Sequence, residues 1–404
     1  MKNKTLGSTL LVAGTTIGAG MLAMPITSAS MGFSFTVLLL LILWVLLSYS
    51  ALLFIEVYQT ARIDDGLASL AEQYFGSVGR VIATLALLIF MYAILSAYVT
   101  GGGSLLSGLL PIIGDDETTT QVSIVLFTVV LGIFIILGTS SVDAVNRLFF
   151  LSKIAIFLFV LLMMLPRVSL DNLMAMPLNH ALILSAAPVF FTSFGFHVVL
   201  PSIVKYLDGD VKRLRISVIA GTGLPLIAYL LWQLSTHGVL SQSQFLHILQ
   251  QDPTLKGLVN ATREITGSQI LSEAVRLFSS LALVTSFLGV SLSLFDCLHD
   301  LLKRVKVRSN RASLGVLTFV PPLIFALFYP KGFILALGYA GIMFAFYGLV
   351  LPVGLAWKAR RLHPNLPYRV IGGNTALVLA LLLGLLIIVI PFLIDTGYLP
   401  KVIG

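Results

Sequence analysis

Apolar residues run in blocks of helix length along most of this chain, and polar residues gather into short connections between them. At about 20 residues per crossing, the blocks predict spans near 6–30, 33–57, 81–110, 121–140, 144–165, 181–204, 215–237, 270–302, 313–329, 333–357 and 375–396. None shows the strict alternation of apolar and polar positions expected of a barrel strand. The pattern predicts an all-α polytopic membrane protein with eleven transmembrane helices, residues 1–404 forming one transmembrane domain. Two connections are predicted to fold locally. Residues 66–75 place apolar positions at helical spacing and predict a short interfacial helix. Residues 238–269, split by Asp252-Pro253, predict a hairpin of two short helices, serving either as a lid over the outer mouth or as a passive connector.

Two blocks contain residues that do not suit a continuous helix. The first holds Gly14-Thr15-Thr16-Ile17-Gly18-Ala19-Gly20-Met21 with Pro25 behind it; the sixth holds Thr192-Ser193-Phe194-Gly195-Phe196-His197. Unpaired backbone groups in hydrocarbon cost several kcal/mol each, so such breaks persist only where they line a cavity or a binding site. The breaks lie five spans apart, an odd number, so the two helices cross in opposite directions. Two inverted repeats follow, residues 6–166 and 181–357, with 375–396 as an extra helix.

Composition sharpens this picture. The chain is 58% hydrophobic and 10% charged, with a mean hydropathy of +1.02, outside the range of soluble domains. The net charge of +8 suggests nucleic acid until the basic residues are placed. Only Arg167, Lys256, Arg263, Lys331 and Lys401 fall on the side opposite the N-terminus, and Lys153 and Arg276 fall within spans. The remainder cluster on the N-terminal side, so the positive-inside rule puts the N-terminus in the cytoplasm and the C-terminus in the periplasm. Basic charge here reports topology and lipid contact, not nucleic acid. Lys2 and Lys4 precede a first block that is long, glycine-broken and without a small-residue cleavage site, so it is expected to be retained. Cys297 is the single cysteine, which leaves no disulfide framework or cysteine metal cluster.

Backbone at the breaks supplies the first candidate chemistry. A half-helix beginning near Gly20 would aim N–H groups and a positive dipole end at a substrate carboxylate. Carbonyls ending the preceding half-helix, around Ala13 and Gly14, and those near Phe191 and Thr192 would accept from an α-ammonium. The expected substrate site comprises Gly14, Thr15, Thr16, Gly18, Ala19, Gly20, Met21, Phe191 and Thr192, with walls from Tyr92, Ser96, Tyr98, Phe194, Phe196, Ser286 and Phe287. The competing explanation is close packing at Gly14-x-x-x-Gly18 and aromatic core packing.

Ionisable groups inside spans are more selective, since a lysine at a helix centre costs about 2.5–3.5 kcal/mol on insertion scales. Lys153 is the prime candidate for proton coupling, donating to Gly14 and Ile17 at the first break and to Thr285 and Ser286 in the eighth span. Snorkelling to the interface is the alternative. His197 is a second proton candidate, on its ordinary titration range. Asp143 and Arg147 read as an interfacial i,i+4 pair, Asp296 as part of an interfacial network, Glu273 and Arg276 as a structural pair or an outer gate, and Glu56 as water-facing. No nucleotide loop, HExxH, nucleophile elbow or metal cluster appears, so an enzyme is not expected, nor any cofactor beyond the driving ion.

Four blocks in order carry a family resemblance: Thr5-Leu-Gly-Ser with Val12 to Pro25; Phe191 to His197 with Pro201-Ser-Ile-Val204; Thr285-Ser-Phe-Leu-Gly289 with Leu294-Phe-Asp296; and Phe328-Tyr-Pro-Lys-Gly-Phe333. Over its whole length the chain resembles the hydroxy and aromatic amino acid permeases of bacteria. The resemblance implies the five-plus-five inverted-repeat fold of leucine-type transporters, the inner membrane, and a monomer that functions alone. It also implies proton-coupled import of an aromatic amino acid, tyrosine foremost, with tryptophan, phenylalanine, serine or threonine as alternatives. Similarity to proton-coupled transporters whose fifth-helix lysine replaces a sodium site supports the role given to Lys153. A sodium symporter of the same fold, and a channel or membrane sensor, are the rival readings.

Overall fold

The computed structural model describes residues 4–402 except 64, 138 and 305, and excludes the side chains of 139–147. The pair Asp143 and Arg147 therefore lies outside the described side chains. Among the described residues the regular structure is helical, and ten helices are long and apolar enough to cross a membrane. An eleventh crossing is the bent pair Lys4–Thr16 and Gly20–Ser28, whose axes differ by 49°. The remaining spans are Phe33–Tyr58, Leu67–Ser107, Asp116–Leu137, Leu148–Arg167, Leu182–Tyr206, Val211–Val239, Gln269–Arg304, Arg311–Phe328, Phe333–Leu362 and Gly373–Asp395.

Local chemistry sets several boundaries. Gly32 turns the chain between the first two spans at φ +76, where a side chain would run into the Ala175 carbonyl; only glycine takes that backbone conformation without strain. The predicted interfacial helix is continuous with the third span, bent at Gly76 with φ +71. In the middle of the tenth span a π-turn, Phe346–Val350, inserts an extra residue into the helix.

Spans pack on their counterparts five positions on: second on seventh, third on eighth, fourth on ninth. The third packs on the tenth as the eighth packs on the fifth. Exchanging the members of each pair preserves these contacts, which is the pattern two inverted repeats produce. At the centre, the second half of the first span packs on the first half of the sixth.

The 238–269 connection forms the expected hairpin, Gln242–Gln251 and Leu255–Thr266. It is packed down rather than loose: Leu255, Leu258 and Val259 are buried, and Lys256 pairs with Asp116 at 2.7 Å. Glu56 differs from expectation. It is fully buried, receiving two N–H groups of Arg360 at 2.6 and 2.8 Å and the Val370 amide at 2.8 Å. The segment after the tenth span folds back over the end of the second, and a helix-end carboxylate that would otherwise meet water becomes the hub of a buried ion pair.

Candidate functional site

Helix geometry fails twice at the centre of the bundle. In the first span regular helix ends at Thr16 and resumes at Gly20; in the sixth it ends at Ser193, and a 3-10 turn at His197–Val199 leads into Leu200–Tyr206. Glycine permits the two breaks to touch. A Cβ on Gly20 would lie 2.8 Å from Ser193 Oγ and 2.9 Å from Ser193 Cα, and one on Gly18 would lie 2.7 Å from Ser286 Oγ.

The backbone freed by the breaks is held by side chains from three other spans. Ala19 N–H donates to Ser286 Oγ at 3.0 Å. Lys153 Nζ donates to the Ile17 carbonyl at 2.9 Å and approaches Thr285 Oγ1 at 3.4 Å, with its ammonium 4.9 Å from the centre of the Phe150 ring. Lys153 is 2% exposed, so it does not snorkel. Among the described residues no bond joins it to Gly14 or Ser286, the other two partners expected. Tyr229 of the seventh span places its hydroxyl 2.7 Å from the carbonyls of both Thr16 and Ser193.

The carbonyl ends lie later along the chain than the glycine pattern suggests. Ala13 O is occupied by Ile17 N–H, Phe191 O by Phe194 N–H and Thr192 O by Gly195 N–H, because each half-helix continues for a further turn. The carbonyls of Thr16, Ile17 and Ser193 instead meet side-chain donors, Tyr229 for the first and third and Lys153 for the second.

A cavity of about 620 Å³ adjoins both breaks. Gly14, Thr15, Thr16, Ile17, Gly18, Gly20, Lys153, Thr192, Thr285 and Ser286 line it as the sequence suggests. It reaches exposed Leu10, Leu11 and Thr15 on the N-terminal side. On the other side the half-helix Gly20–Ser28 is buried throughout.

Ala19, Met21, Tyr92, Ser96, Phe191, Phe194, Phe196 and Phe287 are not on this wall. Phe194 packs edge-on against Tyr229, Phe191 against Phe344, and Phe287 between Phe127 and Phe319. Where backbone lines a cavity, the adjoining aromatic side chains turn into the surrounding core. Tyr92 donates to the Leu317 carbonyl in the ninth span and Ser96 to Tyr92 O. The third span turns a different face inward: Phe90, Met91, Ile94 and Tyr98. Tyr92 and Tyr98, six residues apart, are turned about 240° from one another at roughly 100° per residue, so they do not share a wall. The i, i+4, i+8 spacing of Phe90, Ile94 and Tyr98 was the available signal for that face. Tyr98 stands beside the Ser286 hydroxyl.

His197 is enclosed by the rings of Phe54, Phe196 and Phe344, with centroids at 5.9, 4.5 and 5.3 Å, and neither ring nitrogen has a hydrogen-bond partner. It stands off the cavity, with no polar contact linking it to Lys153 among the described residues. Asp296 is exposed near the N-terminal side, and Arg276 lies 3.7 Å from Glu273.

Two oppositely directed broken helices, meeting at a cavity within a polytopic bundle, define a membrane transporter of the inverted-repeat class. The chain belongs to the tryptophan/tyrosine permease family, whose pattern matches residues 1–391. It is 62% identical to tyrosine-specific transport system 1 of Haemophilus influenzae and 61% identical to system 2 of the same organism, each comparison covering 100% of both chains. Its fold resembles that of the Eremococcus coleocola manganese transporter, at TM-score 0.63 and 14% identity over 97% of this chain and 86% of that one.

Proposed function

We propose that this permease imports tyrosine together with a proton across the bacterial inner membrane, with its N-terminus in the cytoplasm. The tyrosine assignment draws on the two full-length relatives; the coupling ion draws on Lys153. In this reading the substrate carboxylate sits at the N-terminal end of Gly20–Ser28, where the positive end of the helix dipole favours an anion. Its ammonium meets the carbonyl ends at Thr16 and Ser193, and its ring lies against Phe90, Met91 and Ile94.

The observation that carries the coupling is the Lys153 ammonium on the Ile17 carbonyl. Protonated, the side chain donates to the first break; without its proton it can no longer act as a charged donor there, so proton loss loosens the break. Sodium would need the same Ile17 carbonyl and Thr285 hydroxyl, and the ammonium stands in that place. Because tyrosine is neutral overall, one accompanying proton moves one charge, worth about 2.3 kcal/mol per 100 mV of membrane potential. The cavity, open on the N-terminal side, then corresponds to a state facing the cytoplasm.

The test is uptake of labelled tyrosine by proteoliposomes under an imposed proton or sodium gradient. The proton gradient alone should drive accumulation, and Lys153→Ala should abolish it while tyrosine counterflow persists. Sodium-driven accumulation, or uphill uptake by Lys153→Ala, overturns the coupling; failure of the wild type to transport tyrosine overturns the substrate.

A further inference from the structure

Tyr229 is fully buried in the seventh span, and nothing in its sequence surroundings marks it as functional. Its hydroxyl faces two carbonyls at the same distance, 2.7 Å from Thr16 O and 2.7 Å from Ser193 O. Each ends the leading half-helix of a broken span, so both belong to the negative ends of helix dipoles. A phenol has one proton to give. It can satisfy one carbonyl fully, or both in part, and the pair is left one donor short. The ring is braced edge-on by Phe194 at 5.1 Å, which fixes where the hydroxyl stands. Thr16 and Ser193 both border the cavity, so a cation with several N–H donors arriving there finds two carbonyls already drawn together.

Building on the amino acid import set out above, we propose that Tyr229 is a positioning residue that ties the two helix breaks together and, by supplying one proton to two carbonyls, reserves an acceptor for the substrate's α-ammonium. Without the hydroxyl, two dipole ends of like sign face each other with nothing between them, and they separate. The ammonium must then bring them together itself.

The test compares tyrosine with 3-(4-hydroxyphenyl)propanoate, which keeps the carboxylate and phenol and lacks the ammonium. Tyr229→Phe, in proteoliposomes matched for folded protein, should raise the KM for tyrosine about tenfold, equivalent to about 1.4 kcal/mol. The inhibition constant of the propanoate should change less than twofold. Equal weakening of both ligands would assign Tyr229 a purely structural role, and an unchanged KM for tyrosine would deny it any; either result overturns the proposal. Should Tyr229→Phe fail to fold, 3-fluorotyrosine placed at position 229 retains the shape while strengthening the donor. It should lower the tyrosine KM and leave the propanoate unmoved, and equal shifts for both, or none, refute the role. A wild-type protein that binds the propanoate as well as tyrosine overturns the ammonium site itself, whereas a wild type that transports no tyrosine overturns the import reading beneath it.

Discussion

Replacing Gly20 by alanine adds one methyl group at the point where the two breaks touch. That methyl would stand 2.8 Å from Ser193 Oγ, 2.9 Å from its Cα and 3.0 Å from its Cβ. Carbon atoms pack best about 3.5–4.0 Å apart, so roughly 0.6–1 Å must be found, and Cα is backbone that a rotamer change cannot move. Overpacking of this kind typically costs about 1–3 kcal/mol, which lowers the population of the paired arrangement roughly 5–150-fold. The alanine simultaneously favours helix by up to about 1 kcal/mol. The protein should therefore remain folded while tyrosine transport falls at least fivefold. Gly223→Ala is the matched control, a helical glycine of the seventh span whose added Cβ meets nothing within 4 Å, and it should transport within twofold of wild type. Ser193→Gly in the Gly20→Ala background removes two of the three close atoms and should recover part of the rate, an interaction read as a double-mutant cycle. Labelled tyrosine uptake per folded protein, with thermal unfolding in detergent alongside, measures both effects. Wild-type transport by Gly20→Ala would mean that the breaks need not touch to work.

Two further perturbations lie away from the cavity. Glu56→Gln removes the charge facing Arg360, whose side chain is 10% exposed; breaking a buried pair from one side costs about 3–5 kcal/mol, so the unfolding temperature should drop sharply, and Glu56→Leu with Arg360→Met should recover most of it. An undiminished melting temperature in Glu56→Gln would show that the pair contributes little. Asp115, before the fourth span, accepts the Thr118 N–H at 2.7 Å, and that bond holds its carboxyl below the usual carboxylate range. Its contribution is complete above the unfolded pKa of roughly 3.9 and is lost as pH falls through the lower folded value. The stability difference between wild type and Asp115→Asn should accordingly be flat at neutral pH and change only in acid; a difference that changes between pH 6 and 8 contradicts this.

Much of the architecture was legible because a bilayer leaves few ways to satisfy backbone groups. The spans near 33–57 and 270–302 appear as Phe33–Tyr58 and Gln269–Arg304, and the glycine cluster of 14–20 and the stretch around Gly195 interrupt helices one and six. The site was legible only in part. Gly18, Gly20, Thr192 and Ser286 border the cavity, yet Phe191, Phe194 and Phe196 face the core, since the sequence marks where a helix breaks without marking which way the flanking side chains turn. The burial of Glu56 is invisible along the chain for a related reason: its partner Arg360 lies 304 residues away, and periodicity carries no information across that separation.

Hydropathy, glycine placement and charge asymmetry, all written along the chain, determined the class of protein, the span count, the broken helices and the value of a lysine inside the fifth span. Packing alone decided that this lysine meets Ile17 and Thr285, that the third span turns Phe90, Ile94 and Tyr98 inward, and that one tyrosine hydroxyl joins both breaks. Local order follows from the solvent each segment must satisfy, and that can be read residue by residue. Contacts between segments depend on the rotation and tilt of each helix, which are fixed only when all eleven are packed together.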